Sequence, residues 1–337
     1  MTKKISKRKL IFFALITIFF VYIFFNYTEI IAVVDAFSQG SWRWLILAAI
    51  TQVIYYLVYT LMTQKAFETV GIKRRVRDLY PLVLGSLFVN TLAPTAGNSG
   101  TILFADDASR RNESSTKAIV GYLVSTVASY SSFFTLLIFA IWFLASNNLL
   151  NTYEIIGATI FVFPTILPPL LLVMATKKTR GTINFLNWIR RGFNFITRHL
   201  KINKKIDDDW ATEVTKELQE AAEVLKGHGS KIAQTMMIAL TAHGINIASL
   251  YVIFVAFDIH IHYGALIAGY VFAEVVRVIS PNPEGVGAVE AVIVLILGSF
   301  GVPLFSATAI AITFRGLNFW APLGLGFVYL QRLKSFK

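Results

Sequence analysis

Residues 88–100 read FVNTLAPTAGNSG, and residues 278–290 read VISPNPEGVGAVE. Both stretches interrupt apolar sequence with proline, which lacks a backbone donor, and with glycine, which frees the backbone. Backbone groups that lose their helical partners are tolerated at membrane depth only inside protein or beside a water-filled cavity. Matching interruptions in two halves of a chain therefore predict a transporter binding site.

The composition around these breaks indicates an integral membrane protein. Of the 337 residues, 55% are hydrophobic, and the net charge is +12. Cysteine is absent, which excludes a disulfide framework and any cysteine-based metal site. No phosphate-binding loop, serine hydrolase motif or zinc protease motif occurs, so we expect no catalytic residue, no metal and no cofactor.

Seven apolar runs are each close to the roughly 20 residues that a helix needs to cross a bilayer. These predicted spans lie at residues 10–27, 42–62, 117–145, 155–175, 232–257, 264–280 and 306–330. Three further apolar segments, 79–93, 101–105 and 288–300, are too short to cross alone. We expect them to be half-helices that enter the membrane and return.

The basic residues predict the orientation, because lysine and arginine collect on the cytoplasmic side. Of the 31 Lys and Arg residues, 28 fall in the segments 1–9, 63–78, 110–117, 176–231 and 331–337. The intervening loops near 26–41, 146–154, 258–263 and 301–305 contain none. This layout predicts a multi-pass protein of the bacterial cytoplasmic membrane with both termini in the cytoplasm. It also explains the net charge without a nucleic-acid partner.

In this layout the segment 79–110 enters from the cytoplasm and the segment 264–300 enters from outside. Opposite entry is typical of an inverted-topology repeat. The predicted fold is thus all-α, with about seven spanning helices, two re-entrant broken-helix hairpins and an inverted repeat. An N-terminal membrane half, 1–175, and a C-terminal membrane half, 232–337, flank a cytoplasmic insert at 176–231.

The insert is predicted to be helical and amphipathic. Within 176–205, apolar residues recur at helical spacing at Leu186, Ile189, Phe193, Ile196 and Leu200. With arginines on its other faces, this segment is expected to lie on the anionic inner leaflet. A second helix is predicted to begin near Asp209. Anchoring is one interpretation of the insert, and a regulatory or partner-docking role is the other.

Few charged residues fall within the predicted membrane segments, where each costs roughly 2.5–3.5 kcal/mol at a helix centre. The three-residue spacing of Glu274 and Arg277 places them on one helical face. Glu284 and Glu290 flank the second break, and Arg315 lies in the last span. One interpretation is that these charges neutralise one another and fasten helices together. The other is a binding site for a phosphate head group, since arginine recognises phosphate through two parallel hydrogen bonds.

The predicted substrate site combines these charges with polar and backbone groups at the two breaks. Amide groups at half-helix N-termini add affinity for anions. The site residues are Asn90, Pro94, Gly97, Asn98, Gly100, Arg277, Pro281, Pro283, Glu284, Gly285, Gly287, Glu290 and Arg315. The candidates for proton coupling are Glu274, Glu284 and Glu290.

The second break carries a recognisable pattern, Pro281-x-Pro283-x-Gly285-x-Gly287-x-x-Glu290, followed by Arg315 and the run NFWAPLG at 318–324. This pattern resembles the membrane domain of lysylphosphatidylglycerol synthases and of the stand-alone flippase-like proteins related to it. Glu284 stands where that family usually has glycine. The first break lacks the arginine that often follows it in relatives.

The resemblance implies movement of a lipid, such as lysylphosphatidylglycerol, between leaflets. Because the chain ends at Lys337, soon after the last span, the soluble aminoacyl-transferring domain of the full synthases is expected to be absent. The expected partners are membrane lipids and a lipid-synthesising enzyme. The head group, the coupling ion and the oligomeric state stay open.

Two other functions remain open at this point. One is a membrane enzyme that acts on a polyprenyl-phosphate or glycolipid, with Glu290, Asp106 or Asp107 as the base. The other is a non-catalytic subunit of a lipid-modifying complex that docks through the insert.

Overall fold

The structure, a computed structural model, describes residues 17–92, 100–177, 179–199, 206–280 and 282–332. All regular structure in these ranges is helical. The helices are α1 Thr17–Phe25, α2 Tyr27–Gln39, α3 Trp42–Thr69, α4 Val76–Leu92, α5 Thr101–Arg110, α6 Ser115–Ser146, α7 Thr152–Lys177, α8 Thr179–His199, α9 Trp210–Leu225, α10 Gly229–Ala256, α11 Tyr263–Ile279, α12 Ala288–Ser299, α13 Leu304–Arg315 and α14 Ala321–Arg332. A 3-10 turn, Pro283–Gly285, precedes α12, and a π-helical turn, Gly316–Trp320, joins α13 to α14.

Three of these helices, α3, α6 and α10, are long and apolar enough to cross a membrane by themselves. The bent pair α1 and α2 adds a fourth crossing if it counts as one span. The predicted spans at 42–62, 117–145 and 232–257 are thereby confirmed as long apolar helices. The predicted total of seven stays a prediction. The run at 306–330 is not one continuous α-helix, because the π-helical turn divides it.

The segment 26–41 was predicted to be an outer loop, and this prediction was wrong. Residues Tyr27–Gln39 form α2, which meets α1 at an angle of 64°. The bend is at Asn26, whose side-chain amide donates to the carbonyl of Tyr22 at 2.8 Å. A side chain that bonds the preceding turn competes with the helical ladder and bends it.

The largest apolar core joins α6 to the C-terminal half of the chain. Its fully buried members include Phe133 and Leu137 from α6, Phe254 from α10, Tyr270 from α11 and Ile293 from α12. This core fixes α11 and α12, which carry the second break, against the long helices.

A buried polar contact sets the position of α3 along α10. The Gln52 side-chain amide donates to the Asn246 side-chain oxygen at 2.8 Å and to the Ser249 hydroxyl at 3.0 Å. Since buried polar groups are costly when unpaired, this contact favours one alignment of the two helices.

Two pairs of consecutive helices pack against each other as hairpins, α4 with α5 and α11 with α12. In the first hairpin, Gly100 at the start of α5 packs directly against Ser86 of α4. In the second, Gly269 of α11 lies beside Ile296 and Leu297 of α12. The 3-10 turn of the second hairpin contacts α4 of the first, so the two hairpins approach each other. Entry from opposite leaflets, and the inverted repeat with it, stays a prediction.

The insert folds as two helices that pack on each other and on α7. The predicted second helix is confirmed as α9, with Asp209 at its N-cap position. Within α8, Leu186 of the predicted apolar stripe is buried against the protein. Trp188 and Phe195, which the helical repeat of 100° per residue places on the opposite side, are exposed.

The packing of α14 on α4 depends on Gly326. A Cβ atom at this position would lie 2.5 Å from the Leu84 carbonyl oxygen and 2.9 Å from the Phe88 Cβ. Gly324, on the same helix, has open space around it. Gly326 therefore allows the close approach of two backbones.

We expect Gly326→Ala to lower the free energy of unfolding by about 1–3 kcal/mol relative to Gly324→Ala, because overpacking forces the helices apart. Both substitutions bring the same gain in helix propensity, so Gly324→Ala is a matched control. Thermal unfolding of the two variants in detergent measures the difference. Equal midpoints would contradict the described contact between α4 and α14.

Candidate functional site

A cavity of about 150 Å³ lies between the two hairpins and the last helix. Side chains from both breaks and from the long helices line it. The lining residues are Tyr55, Tyr56, Tyr59, Leu87, Asn90, Thr91, Tyr122, Thr126, Ser129, Tyr130, His243, Glu274, Arg277, Glu284, Arg315, Asn318, Phe319, Pro322 and Leu323. The structure thus brings Asn90, Arg277, Glu284 and Arg315 of the predicted site to one cavity.

Arg277, in the last turn of α11, bridges two carboxylates. Its guanidinium approaches Glu274 at 2.8 Å and Glu284 at 3.0 Å. The predicted pairing of Glu274 with Arg277 is confirmed. The Arg277 side chain keeps 32% of its surface accessible and lines the cavity.

Glu284 occupies a backbone conformation that favours glycine. Its φ is +51°, in the left-handed region, where a side chain costs about 1–2 kcal/mol. Gly285 and Gly287 follow with φ of +65° and +82°. At Gly285 a Cβ atom would also come within 2.8 Å of Val289. The sharp turn needs these two glycines, and Glu284 is held in the same turn by its bond to Arg277.

Arg315 is the buried counterpart of Arg277. Its Nε donates to Glu290 Oε1 at 2.6 Å, and its Nη2 donates to the backbone carbonyl of Glu284 at 3.0 Å. The guanidinium also lies 4.3 Å from the centre of the Phe319 ring. Its side chain is 4% accessible. Arg315 therefore ties α12 and the 3-10 turn to the end of α13.

The first break contributes through Asn90, in the last turn of α4. Its side-chain oxygen accepts from the Gly100 amide at 2.6 Å, and its side-chain nitrogen contacts the Tyr122 hydroxyl at 3.2 Å. A Cβ atom at Gly100 would come within 2.6 Å of the Ser86 Cβ. Asn90 and Gly100 thus close the first hairpin against the wall of the cavity.

Several predicted site residues lie outside the described residues, namely Pro94, Gly97, Asn98 and Pro281. Pro283 begins the 3-10 turn, and Gly287 is the N-cap residue of α12. Of the proton-coupling candidates, Glu274 and Glu284 line the cavity, and Glu290 reaches it through Arg315.

The sequence analysis missed the tyrosines of the cavity wall. Tyr55, Tyr56 and Tyr59 come from α3, and Tyr122 and Tyr130 come from α6. The signal was present, because helical spacing joins Tyr122, Thr126, Ser129 and Tyr130 into a polar stripe within an apolar span.

Glu29 was also missed, because the sequence analysis assigned it to a loop. In the structure its carboxyl group is close to that of Glu290 and to Arg315. No pattern of charge spacing could have found this proximity, since Glu29 and Glu290 lie in opposite halves of the chain.

The charged residues of the site carry an excess of negative charge. Arg277 and Arg315 face three carboxylates, Glu274, Glu284 and Glu290, whereas Glu29 does not line the cavity and lies behind it, near Glu290. Within the ranges that the structure describes, no group of three His, Cys, Asp or Glu side chains is arranged to hold a metal ion. The site can present hydrogen-bond donors from arginine and tyrosine together with carboxylate acceptors.

Comparison with known proteins finds similarity to one family of membrane proteins. The family described as "Lysylphosphatidylglycerol synthase TM region" matches residues 9–326. The chain is 19% identical to the UPF0104 membrane protein MJ1595 of Methanocaldococcus jannaschii over 333 residues, which cover 98% of this chain and 97% of that protein. Over 80 residues, or 24% of each chain, it is 34% identical to a UPF0104 membrane protein of Methanothermobacter thermautotrophicus. The resemblance inferred from the motif around the second break is confirmed.

The strained backbone at Glu284 gives a test of the turn. Glu284→Ala and Glu284→Gly both remove the partner of Arg277, but only alanine keeps a Cβ atom at positive φ. We expect the free energy of unfolding of Glu284→Ala to be about 1 kcal/mol below that of Glu284→Gly.

The same two substitutions at Glu220, in the exposed interior of α9, are the control. The free energy of unfolding of Glu220→Ala should exceed that of Glu220→Gly by up to about 1 kcal/mol, because alanine has the higher helix propensity. Chemical unfolding in detergent compares all four variants. If Glu284→Ala were also more stable than Glu284→Gly, the described left-handed conformation of residue 284 would be contradicted.

Proposed function

The chain belongs to the family of the lysylphosphatidylglycerol synthase TM region, and on that premise we propose that it is a lipid flippase. It moves a phospholipid or a lipid-linked polar head group, lysylphosphatidylglycerol-like or glycolipid, between the leaflets of the cytoplasmic membrane. The lipid undergoes no covalent change in this proposal. The observation that carries it is the polar cavity between the two hairpins.

The cavity has the chemistry that a head group needs. Arg277, whose side chain lines the cavity and is partly accessible, supplies donors to a phosphate. The tyrosine hydroxyls and the carboxylates of Glu274 and Glu284 supply partners for hydroxyl or amino groups. Because carboxylates outnumber arginines, the site favours a head group that carries positive charge or hydroxyl groups over one that is only anionic.

The position of the cavity also supports transport. It lies where two helical hairpins meet, and such hairpins can shelter a head group while the acyl chains stay in lipid. With both termini in the cytoplasm, as the basic residues predict, the hairpin of α4 and α5 would open inward and that of α11 and α12 outward. Movement of the hairpins against each other would then expose the cavity to each leaflet in turn.

The insert is proposed to anchor the protein to the anionic inner leaflet. The exposed Trp188 and Phe195 of α8 supply the apolar contact, and the exposed Arg191 lies on the same side of the helix. Aromatic and basic side chains together are typical of helices that lie in the membrane interface.

Lipid movement can be measured with proteoliposomes that contain head-group-labelled phosphatidylglycerol, lysylphosphatidylglycerol or glycolipid and an impermeant quencher. We expect the wild-type protein to accelerate exchange of at least one probe. Arg277→Gln should lower this rate about tenfold or more, because a charge-assisted contact is lost and two carboxylates are left unpaired.

Arg43→Gln is the matched control, since Arg43 is exposed and lies outside the cavity. Its exchange rate should equal that of the wild type. Exchange of every probe at the rate of protein-free liposomes, with the protein still folded, would contradict the proposed function.

The absence of cysteine allows a clean test of the insert. A fluorophore on Trp188→Cys should be quenched by lipids that carry a quencher in their acyl chains, because this position enters the interface. The same fluorophore on Lys216→Cys, on the exposed side of α9, should not be quenched. Equal quenching at the two positions would contradict the anchoring role.

A further inference from the structure

We propose that Glu29 and Glu290 form a proton-binding carboxyl pair, seated on Arg315, that couples proton movement to lipid movement. The coupling to lipid movement rests on the proposed function. The binding of a proton by the pair rests on the arrangement of side chains within the protein.

The packing of α2 on the π-helical turn places Glu29 at this position. A Cβ atom at Gly316 would lie 2.6 Å from Val33 Cγ1 and 3.0 Å from Phe37 Cε2, so these two side chains of α2 pack directly on the glycine. Glu29 lies one helical turn before Val33, on the same face of α2. Its carboxyl group is thereby brought beside Arg315, the residue before Gly316, and close to Glu290.

The hydrogen bonds around this pair are incomplete. Arg315 donates to Glu290 Oε1 and to the carbonyl of Glu284. Both carboxylate oxygens of Glu29 and Glu290 Oε2 are buried, and no donor reaches them among the described residues. The Tyr22 hydroxyl and the Trp320 ring nitrogen, on neighbouring helices, are likewise buried without a partner.

Two ionised carboxylates are acceptors only, so they cannot bond to each other. They can form a hydrogen bond when one is protonated and donates to the other, as in paired carboxyl groups that share one proton. The charge count agrees. Arg315 supplies one positive charge for two carboxylates, and one bound proton neutralises the set.

Among the described residues, four charged or titratable groups surround Glu29 and take part in this balance. They are Tyr22 from α1, Glu290 from α12, Arg315 from α13 and, at longer range through Arg315 and Tyr22, Glu284 from the 3-10 turn. A proton is favoured over a metal cation because the arginine occupies one side of the pair and repels a second fixed cation.

Loss of the proton would change the structure at a defined place. Two adjacent carboxylates then repel, and this repulsion acts against the packing of α2 on α13 and the π-helical turn. Arg315 transmits the change, because it bonds both Glu290 and the Glu284 carbonyl at the cavity wall. In a transport cycle, the proton enters a carboxylate oxygen from one side of the membrane and leaves to water on the other.

The experiment uses the full-length protein in liposomes and compares Glu29→Gln with Asp35→Asn. Glutamine keeps the shape of a protonated glutamate but cannot titrate. Asp35 is an exposed carboxylate on the same helix, so Asp35→Asn controls for loss of charge on α2. Thermal unfolding verifies that each variant is folded.

Infrared difference spectra across a pH titration report carboxyl protonation without any lipid substrate. We expect a band of a buried protonated carboxyl group in the wild type and in Asp35→Asn, and its loss in Glu29→Gln. Glu29→Asp, which keeps the carboxyl group, should retain the band at a shifted pH. If Glu29→Gln shows the wild-type band, the proton-binding pair is overturned.

Lipid exchange under an imposed pH gradient tests the coupling. The gradient should change the exchange rate of the wild type and of Asp35→Asn, whereas Glu29→Gln should retain exchange and lose its response to the gradient. An unchanged response in Glu29→Gln overturns the coupling while the proposed function stands. Absence of all exchange in the wild type overturns the proposed function. The infrared spectra then decide by themselves whether the carboxyl pair binds a proton.

Replacement of sodium by choline separates the proton from a metal cation. The response to the pH gradient should be the same in both salts. If exchange instead requires sodium and ignores the pH gradient, the assignment of the proton is overturned.

Discussion

The buried ion pair between Arg315 and Glu290 holds the broken part of the molecule together. An unpaired arginine at membrane depth costs several kcal/mol, and Arg315 is almost fully buried. Its bonds reach α12 through Glu290 and the 3-10 turn through the Glu284 carbonyl, while its face packs on Phe319. In a straight helix the Glu284 carbonyl would accept from a backbone amide one turn later and would no longer be a partner for Arg315. The pairing of one charge thus specifies the bend on which the cavity depends.

The features that could be predicted from the sequence are those encoded over short distances. Proline and glycine mark the two breaks, and a three-residue spacing pairs Glu274 with Arg277, as the structure confirms. The contact of the 3-10 turn with α4 agrees with the expectation that backbone groups freed at a break lie inside protein or beside a cavity. The long helices α3, α6 and α10 followed from hydropathy alone.

The features that could not be predicted depend on packing between distant segments. Glu29 lies between Asn26 and a short apolar run, and such a sequence is also typical of a loop at the membrane surface. Only the close contact of Gly316 with Val33 turns it toward Arg315. For α8, periodicity does not state what covers an apolar face: Leu186 of the predicted stripe faces protein, whereas Phe193 of the same stripe is exposed.

Glu284 connects the two clusters of charge and shows why both lie at one turn. Its side chain is bound by Arg277 and its backbone carbonyl by Arg315, although its positive φ would suit glycine better. A strained residue persists where the surroundings over-determine it, and such strain is frequent at functional sites. Because the two arginines hold opposite sides of one residue, a change in the partners of either arginine alters the turn that the other also contacts. Arg277 in the cavity and the buried pair of Arg315 with Glu290 therefore contact the same turn. Such a shared element is required if binding at the cavity and protonation at the pair are to influence each other.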